Sequence, residues 1–169
     1  MKRTMELIIC ISILLFSGCD DANLYEGGTL PLITVSIRQE VPTHLHSEYI
    51  LLAKLINAES GHEPFIGMRA VGDVVMYIAK ENNWSIKRTI YDRGRFDGIN
   101  SRRFHKTPSE SCYEAARLAI LGRHILPAGI LFFHNPKTST DTKWVNYITK
   151  YKYKQIGNHL FCYHPKYFI

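Results

Sequence analysis

Two apolar helical patterns that meet at a short polar elbow constrain this chain more than any other feature. They run through residues 51–75, which read LLAKLINAESGHEPFIGMRAVGDVV. Apolar residues recur at helical spacing before the elbow Ser60-Gly61-His62 and again after Pro64. A proline suits the first turn of a helix, because its missing N–H would have had no partner there. The pattern therefore predicts two helices joined by a tight turn.

Two carboxylates, Glu59 and Glu63, lie at this elbow. Glu59 extends the buried stripe of the first helix, because it follows Leu52, Leu55 and Ile56 at helical spacing. Burial raises the pKa of a carboxyl group, which is what a general acid needs near neutral pH. Glu63 is the best candidate for a second catalytic carboxylate. Alternatively, its charge caps the start of the second helix.

Capping residues predict the limits of the other helices. Ser47 is expected to cap the first helix, and residues 84–92 are expected to form a short helix or turn. Residues 107–110 read TPSE, a capping box with proline at the first helical position. The helix that they open should run to about Leu121 and end at Gly122.

Two apolar runs near the C-terminus, residues 130–133 and 155–163, predict β-strands. Residues 137–154 between them are polar and aromatic. Their rings could stack on sugars, or could equally pack a loop onto the surface. These rings belong to Trp144, Tyr147, Tyr151 and Tyr153. With 46% hydrophobic residues, the 169-residue chain has enough for one sizeable core. We therefore predict a single, mostly helical α+β domain with a small antiparallel sheet formed by its C-terminal strands.

Residues 1–19 are predicted to be an export signal. A positively charged start precedes a short apolar run, and the following LFSGC resembles a bacterial lipobox. We expect Cys19 to be lipidated and to become the new N-terminus. The alternatives are an uncleaved anchor helix, for which the run is short, and a plain secretory signal. Asp20 and Asp21 resemble the signal that keeps enteric lipoproteins on the inner membrane. We therefore expect the protein in the cell envelope, anchored to the periplasmic face of the inner membrane if the host is Gram-negative.

Residues 20–43 are predicted to be a tether, and residues 44–169 the folded domain. The formal net charge is +6 for the whole chain. A basic exported protein suits an anionic polymer, and export argues against a nucleic-acid partner. A merely solvated basic surface is the alternative.

Three ordered blocks, which span roughly residues 48–163, resemble the signature of the SleB-type cell-wall hydrolases. They read AKLINAES followed by EPFIGMRAVGDVV at residues 53–75, FFHNP at residues 132–136, and IGNHLF at residues 156–161. The resemblance implies a lysozyme-like domain that cleaves the glycan strands of peptidoglycan. It also implies that Glu59 is the catalytic acid.

The same resemblance implies that other residues of these blocks bind substrate. They are Glu63, Phe96, Asn135, Asn158, His159 and Phe161. In the family, the loop beside the cleft has a small polar residue after the phenylalanine that matches Phe96. Asp97 departs from this pattern. It is either a second catalytic carboxylate or, as is common for a loop aspartate, a turn former.

A single acid is enough for a lytic transglycosylase, which cleaves between N-acetylmuramic acid and N-acetylglucosamine and leaves 1,6-anhydro ends. An ordinary glycosidase needs two carboxylates. We expect the transglycosylase reaction. The alternative is a catalytically weak or inactive lipoprotein that only binds the cell wall. We expect peptidoglycan and the membrane, through the lipid, as partners of a monomer.

The remaining cysteines and histidines predict no further chemistry. The histidines lack a regular metal-binding spacing, so we expect no metal and no cofactor. Cys112 and Cys162 could form a disulfide in an exported chain. Each lies on an apolar face, however, so we expect two buried free thiols.

Overall fold

A computed structural model describes residues 38–168, which lie in one compact unit. The predicted signal, Cys19 and most of the tether are outside these residues. Within them the chain forms five α-helices and three β-strands. The helices are α1 (His46–Ser60), α2 (Phe65–Asn82), α3 (Ile86–Ile90), α4 (Glu110–Ile120) and α5 (Thr142–Ile148). The strands are β1 (Ile130–His134), β2 (Lys152–Ile156) and β3 (His159–Tyr163).

The predicted elbow is confirmed, because α1 ends at Ser60 and α2 begins directly after Pro64. The predicted cap of α1 is wrong. Ser47 lies inside the first turn of the helix, and the residue before the helix is Leu45, without a side-chain cap. A 3₁₀ turn, Thr43–Leu45, runs straight into α1, so backbone carbonyls supply partners at this end.

Helix α4 starts two residues later than the TPSE box predicts. Ser109, with extended backbone, is the cap, and its hydroxyl accepts a hydrogen bond from the Cys112 N–H. The predicted roles of Thr107 as cap and of Pro108 as first helical residue are therefore wrong. The end of the helix is confirmed, because Gly122 has a φ of 71° and donates its N–H to the Ala119 carbonyl.

Helices α1, α2 and α4 pack on one another around an apolar core, and β1 covers the side of α2. The stripes predicted from helical spacing are the ones that are buried. From α1 and α2 they include Leu52, Leu55, Ile56, Val71, Val74 and Val75, and from α4 Cys112, Ala115, Ala116 and Ala119. The core thus fixes the end of α1, where Glu59 lies, against the rest of the domain.

The sheet is antiparallel, with strand order β1-β3-β2. The single strand predicted for residues 155–163 is wrong, because Gly157 and Asn158 form a tight turn between β2 and β3. Gly157 has a φ of 59°, which glycine adopts at little cost. A Gly-Asn pair between two strand-like runs is a hairpin signal that the sequence reading missed.

The polar and aromatic stretch before β2 contains α5, which was not predicted. The helix begins after Asp141, whose carboxylate accepts a hydrogen bond from the Trp144 N–H at 3.0 Å. No helix in residues 38–168 is long and apolar enough to cross a membrane. The prediction of a mostly helical α+β domain with a small antiparallel C-terminal sheet is confirmed.

Candidate active site

Glu59 lies one residue before the end of α1, on the same stripe as the core residues Leu52, Leu55 and Ile56. Its carboxyl group is largely buried at the bottom of an open cleft. Its oxygen Oε1 accepts a hydrogen bond from the backbone N–H of Gly98 at 2.7 Å. The end of a rigid, core-packed helix therefore positions this acid, and one backbone donor orients it.

The surroundings of Glu59 favour its protonated form. Desolvation by burial is the main cause that raises the pKa of Glu59, and the negative charge of Asp97 raises it further. The Gly98 hydrogen bond acts in the opposite direction but does not cancel these effects. The carboxyl group therefore keeps its proton to a higher pH than an exposed glutamate, as a general acid requires.

The turn that holds Glu59 leaves no room for a side chain at Gly98. A Cβ atom there would lie 2.5 Å from Oε1 of Glu59 and 3.1 Å from Cβ of Ala58. Gly98 belongs to a short 3₁₀ turn, Asp97–Asn100, that lies against the end of α1. Glycine is thus used here for close approach of backbone to the acid.

The cleft has a volume of about 750 Å³ and crosses the domain between the end of α1, the loop before the 3₁₀ turn, β1 and α5. Its lining combines charged or polar residues with aromatic ones. The residues that matter most to its chemistry are Glu59, Asp92, Arg95, Phe96, Asp97, Phe132, Phe133, His134, Asn135, Asp141, Trp144 and His159.

Aromatic side chains form the floor of the cleft and its α5 wall. Phe96 stacks on Phe133 with ring centroids 6.3 Å apart. Trp144 meets Phe132 edge to face at 6.2 Å and His134 at 5.7 Å. Of the two alternatives left open for Trp144, the structure has the groove position, because α5 places its half-buried ring in the lining. Fixed aromatic faces of this kind suit the apolar faces of sugar rings.

Two buried histidines, His134 and His159, line the cleft next to Phe133 and Trp144. Desolvation lowers the pKa of both; His159 lowers that of His134 further, whereas Glu63 opposes the shift of His159. Both surroundings therefore favour the neutral imidazole. In neither ring does Nδ1 have a hydrogen-bond partner among the described residues. His134 was not predicted as a site residue, although it stands in the FFHNP block.

Glu63 lies outside the cleft lining and instead fastens the elbow to the β2–β3 hairpin. Its carboxylate accepts hydrogen bonds from the backbone N–H and the side-chain amide of Asn158, each at 2.9 Å. Desolvation would raise the pKa of Glu63, but these bonds, with smaller effects of His159 and His62, outweigh it and lower the pKa. Asn158 donates both of these hydrogen bonds, and the Glu63 carboxylate accepts none from the first turn of α2 within residues 38–168.

The structure brings together four of the predicted site residues, Glu59, Phe96, Asn135 and His159, in the cleft lining. It does not bring the other three there. Asn158 is exposed in the hairpin turn and bonded to Glu63. Phe161 is fully buried behind the lining, where its ring packs against Phe133 and His159. Phe161 thus supports the floor of the cleft from behind.

The other carboxylates of the cleft have different surroundings. Asp92 is paired with Arg95, whose guanidinium nitrogens lie 2.7 and 2.8 Å from Oδ2. Asp141 caps α5. Asp97 is exposed and close enough to Glu59 to affect its pKa. Of these three carboxylates, only Asp97 has no arginine or helix-end partner within residues 38–168, and its charge also affects the pKa of Glu59.

Cys112 and Cys162 are both buried free thiols, as predicted. Burial raises the pKa of the Cys162 thiol to about 11, so it is not a reactive thiolate at neutral pH. Cys112 lies beside the Ser109 cap of α4. Neither residue belongs to the cleft lining.

Comparison with known proteins connects this geometry to a family. The family model for cell wall hydrolases matches residues 62–162, which begin just after Glu59. A spore cortex-lytic enzyme of Bacillus cereus is 30% identical over 115 residues, which are 66% of this chain and 42% of that protein. One from Halalkalibacterium halodurans is 25% identical over 114 residues, 66% of this chain and 33% of that protein. The chain thus spans less than half the length of these relatives.

Two solved structures have the same fold. The catalytic domain of the germination-specific lytic transglycosylase SleB from Bacillus anthracis matches with a TM-score of 0.63 and 26% identity, over 72% of this chain and 99% of that one. The catalytic domain of Bacillus cereus SleB matches with a TM-score of 0.60 and 28% identity, over 74% and 97% of the two chains. The matches cover nearly all of both catalytic domains. The compact unit Arg38–Ile169 therefore contains the equivalent of a whole catalytic domain.

A helical domain with a small sheet, and a buried glutamate at the bottom of an open cleft, define a lysozyme-like protein. More narrowly, the chain belongs to the cell wall hydrolase family, and its fold is similar to that of the SleB catalytic domains. The family and the fold implied by the three sequence blocks are therefore confirmed.

Proposed function

We propose that this protein cleaves peptidoglycan glycan strands between N-acetylmuramic acid and N-acetylglucosamine, as a lytic transglycosylase with Glu59 as its single catalytic acid and base. The observation that carries the proposal is the environment of Glu59. It is a buried carboxyl group with a raised pKa at the bottom of a cleft with aromatic walls. The lytic transglycosylase named among the structural relatives supports the same reaction.

The proposed reaction needs one group for two proton transfers. Protonated Glu59 gives its proton to the glycosidic oxygen as the bond from that oxygen to C1 of the muramic residue breaks. The muramic 6-hydroxyl oxygen then bonds to C1, and its proton passes to the Glu59 carboxylate. The product carries a 1,6-anhydro ring, no water is consumed, and Glu59 returns to its starting state.

The positions of the other carboxylates support a single-acid mechanism. A hydrolase would need a base or nucleophile roughly 5–9.5 Å from the acid. Glu63 is bonded to the hairpin, and Asp92 and Asp141 are held by an arginine and a helix end. Hydrolysis with Asp97 as the second carboxylate is the alternative, because Asp97 lies in the lining and affects Glu59.

The substitution Glu59→Gln tests the assignment. Glutamine keeps the shape of the side chain but cannot exchange the proton, so activity should fall by at least roughly 10²–10⁴-fold. Stability should be retained or raised at neutral pH, because the raised pKa of Glu59 means that its ionised form destabilises the folded state there. This gain should disappear as the pH falls through the folded pKa of Glu59 towards the unfolded value.

The measurements are glycan cleavage of purified sacculi and mass analysis of the products. Glu63→Gln is the matched control, because it is the same change outside the cleft. Anhydro ends, 18 mass units lighter than hydrolysed ends by the loss of one water, identify the transglycosylase. Reducing ends would identify a hydrolase. Full activity of a folded Glu59→Gln protein would disprove the catalytic role, and an inactive wild type that still binds sacculi would favour a binding lipoprotein.

We also propose that the protein acts as a monomer held at a bacterial membrane by a lipid on Cys19. The small-residue run before this cysteine supports the proposal. Wild-type protein should carry an acyl group, and Cys19→Ala should leave it unlipidated and release its activity from the membrane fraction. A wild-type protein without any acyl modification on mass analysis would rule the anchor out.

A further inference from the structure

Outside the cleft, five aromatic side chains form a continuous chain of ring contacts across α5, the sheet and the C-terminal turn. We call this chain the aromatic row; its members are Tyr147, Tyr151, Phe168, Tyr163 and Tyr153. Successive ring centroids lie 5.4–6.0 Å apart, at steep angles of 61–83°. Edge-to-face packing of this kind holds each ring in a fixed position.

The row is open to solvent along much of its length. Tyr147 is 50% exposed, Phe168 45% and Tyr153 41%, while Tyr151 and Tyr163 are half-buried between them. Single exposed aromatic residues are ordinary on a protein surface. A contiguous set of them marks an interaction site more strongly.

The row begins next to the cleft. Tyr147 follows Trp144 by three residues on α5, so both side chains lie on the same side of that helix. Trp144 lines the cleft and packs against Phe132, another lining residue. A polymer leaving the cleft past Trp144 therefore meets Tyr147 next and then the remainder of the row.

Cationic side chains accompany the row. Lys150 precedes Tyr151, and Lys152 and Lys154 are the chain neighbours of Tyr153 on β2, where successive side chains alternate between the two faces of the strand. The lysines therefore give this part of the domain a positive potential without all lying on the same face as the rings. All three lysines are exposed, and none forms an ion pair within residues 38–168. A partner for this surface should thus combine flat apolar faces with negative charges.

We propose that the aromatic row is a second binding surface for peptidoglycan, which holds the polymer beside the cleft while Glu59 acts. Sugar rings stack on the exposed faces, and the positive potential of the nearby lysines attracts the carboxylates of the stem peptides. This inference rests on the proposed function, because it takes the polymer in the cleft to be peptidoglycan. Rings that edge-to-face contacts hold in fixed positions favour a stacked polymer over a lipid bilayer, for which the apolar face of an amphipathic helix is the usual surface.

The test compares binding with cleavage in residues 38–169. For binding, the background is Glu59→Gln, so that purified sacculi stay intact during co-sedimentation. The row variant combines Tyr147→Ala, Tyr153→Ala and Phe168→Ala. The matched control combines Phe65→Ala and Tyr91→Ala, which removes rings that are 41% and 51% exposed but lie outside the row. For cleavage, the same changes are made with Glu59 intact and assayed on short soluble glycan fragments.

The row variant should bind sacculi about tenfold or more weakly, since a few aromatic anchors commonly dominate a binding surface. Its cleavage of soluble fragments should change less than about twofold, because no lining residue is altered. The control should bind normally. Thermal unfolding checks that all variants are folded. If the triple variant unfolds, Tyr147→Ala alone replaces it, because Tyr147 has a single ring partner in the row and its removal disturbs the packing least.

Three results would overturn the inference. The first is normal sacculus binding by the folded row variant. The second is an equal loss on soluble fragments, which would make the row part of the cleft or of folding. The third is binding to anionic phospholipid vesicles, or self-association, that the row changes abolish while sacculus binding stays. Absence of cleavage by the wild type, with row-dependent sacculus binding retained, would instead refute the proposed function alone.

Discussion

Replacing Gly98 by alanine should inactivate the site by moving its acid rather than by unfolding the domain. The backbone N–H that orients Glu59 remains in this variant, so the change adds a single methyl group at 2.5 Å from Oε1 and 2.9 Å from Cδ of Glu59. Ordinary contact begins at 3.4 Å, so the closest atom is too near by about 0.9 Å. Something has to shift by that amount.

The Glu59 carboxyl group is the group that can shift. It is the far end of a flexible side chain, whereas the other close atom, Cβ of Ala58 at 3.1 Å, belongs to the rigid end of α1. A displacement of about 1 Å in a catalytic group can cost roughly 10²-fold in rate. Gly98 does not have a positive φ, so alanine causes no backbone strain and restricts the unfolded chain slightly. Thermal stability should therefore be almost unchanged.

The assay is steady-state cleavage of soluble glycan fragments by Gly98→Ala, with thermal unfolding of the same samples. Asn100→Ala, an exposed position in the same 3₁₀ turn, is the matched control. A positioning role predicts a fall in kcat with little change in KM, because substrate still binds to the same walls. Wild-type kcat in the folded variant would show that the carboxyl group does not act from its place against Gly98. A rise in KM alone would assign the turn to substrate binding.

Two further changes separate the roles of neighbouring carboxylates. In Asp97→Asn, loss of the nearby negative charge should lower the pKa of Glu59. The alkaline limb of the pH–rate profile should therefore move to lower pH, while activity below that limb persists. A loss of roughly 10²-fold at every pH would mean that Asp97 is a second catalytic carboxylate. Glu63→Gln should cost about 1 kcal/mol of unfolding free energy at neutral pH with kcat almost unchanged, since it weakens charge-assisted bonds to Asn158 at a partly exposed site. Because folding lowers the pKa of Glu63, the difference in unfolding free energy between wild type and variant should be complete above about pH 4.5. It should vanish as the pH falls through the pKa that Glu63 has in the folded protein, which denaturation at a series of pH values would show.

Helical spacing predicted the core of the domain well, because apolar residues recur once per helical turn on the side of a helix that is buried. The stripe Leu52, Leu55, Ile56 and Glu59 is a local feature of one helix. The structure buries its three apolar members completely and leaves Glu59 partly accessible from the cleft. The elbow was predictable for the same reason, since Gly61 and the following proline end one helix and begin the next within a few residues.

The wrong predictions concern places where the local sequence allows more than one backbone conformation. Thr107 and Ser109 both suit a helix cap, and sequence alone does not decide which of them takes the extended conformation that Ser109 has. Residues 155–163 read as one apolar run, although Gly157 and Asn158 divide it. The short helix α5 is mostly polar and exposed, so it carries little apolar periodicity to detect.

The cleft itself could be predicted only in part, because its residues meet through tertiary packing. Glu59, Phe96 and His159 were identified from resemblance, but no spacing in the sequence indicates that Gly98 touches the acid. The same holds for the contact of Glu63 with the hairpin turn, which joins residues 95 positions apart. Contacts of this kind depend on how α1 and the sheet are packed, and one sequence contains no direct record of that packing.

The two elbow carboxylates have opposite environments, and this difference explains why one of them is suited to catalysis. Glu59 is buried with one hydrogen-bond donor, which leaves its neutral form favoured. Glu63 lies at the surface with two donors from Asn158, which favour its charged form. Divergent pKa values in a pair of nearby carboxyl groups commonly mark a division of roles. Here the charged member fastens the elbow to the β2–β3 hairpin through Asn158, so it stabilises the fold outside the cleft and leaves the chemistry to the buried acid.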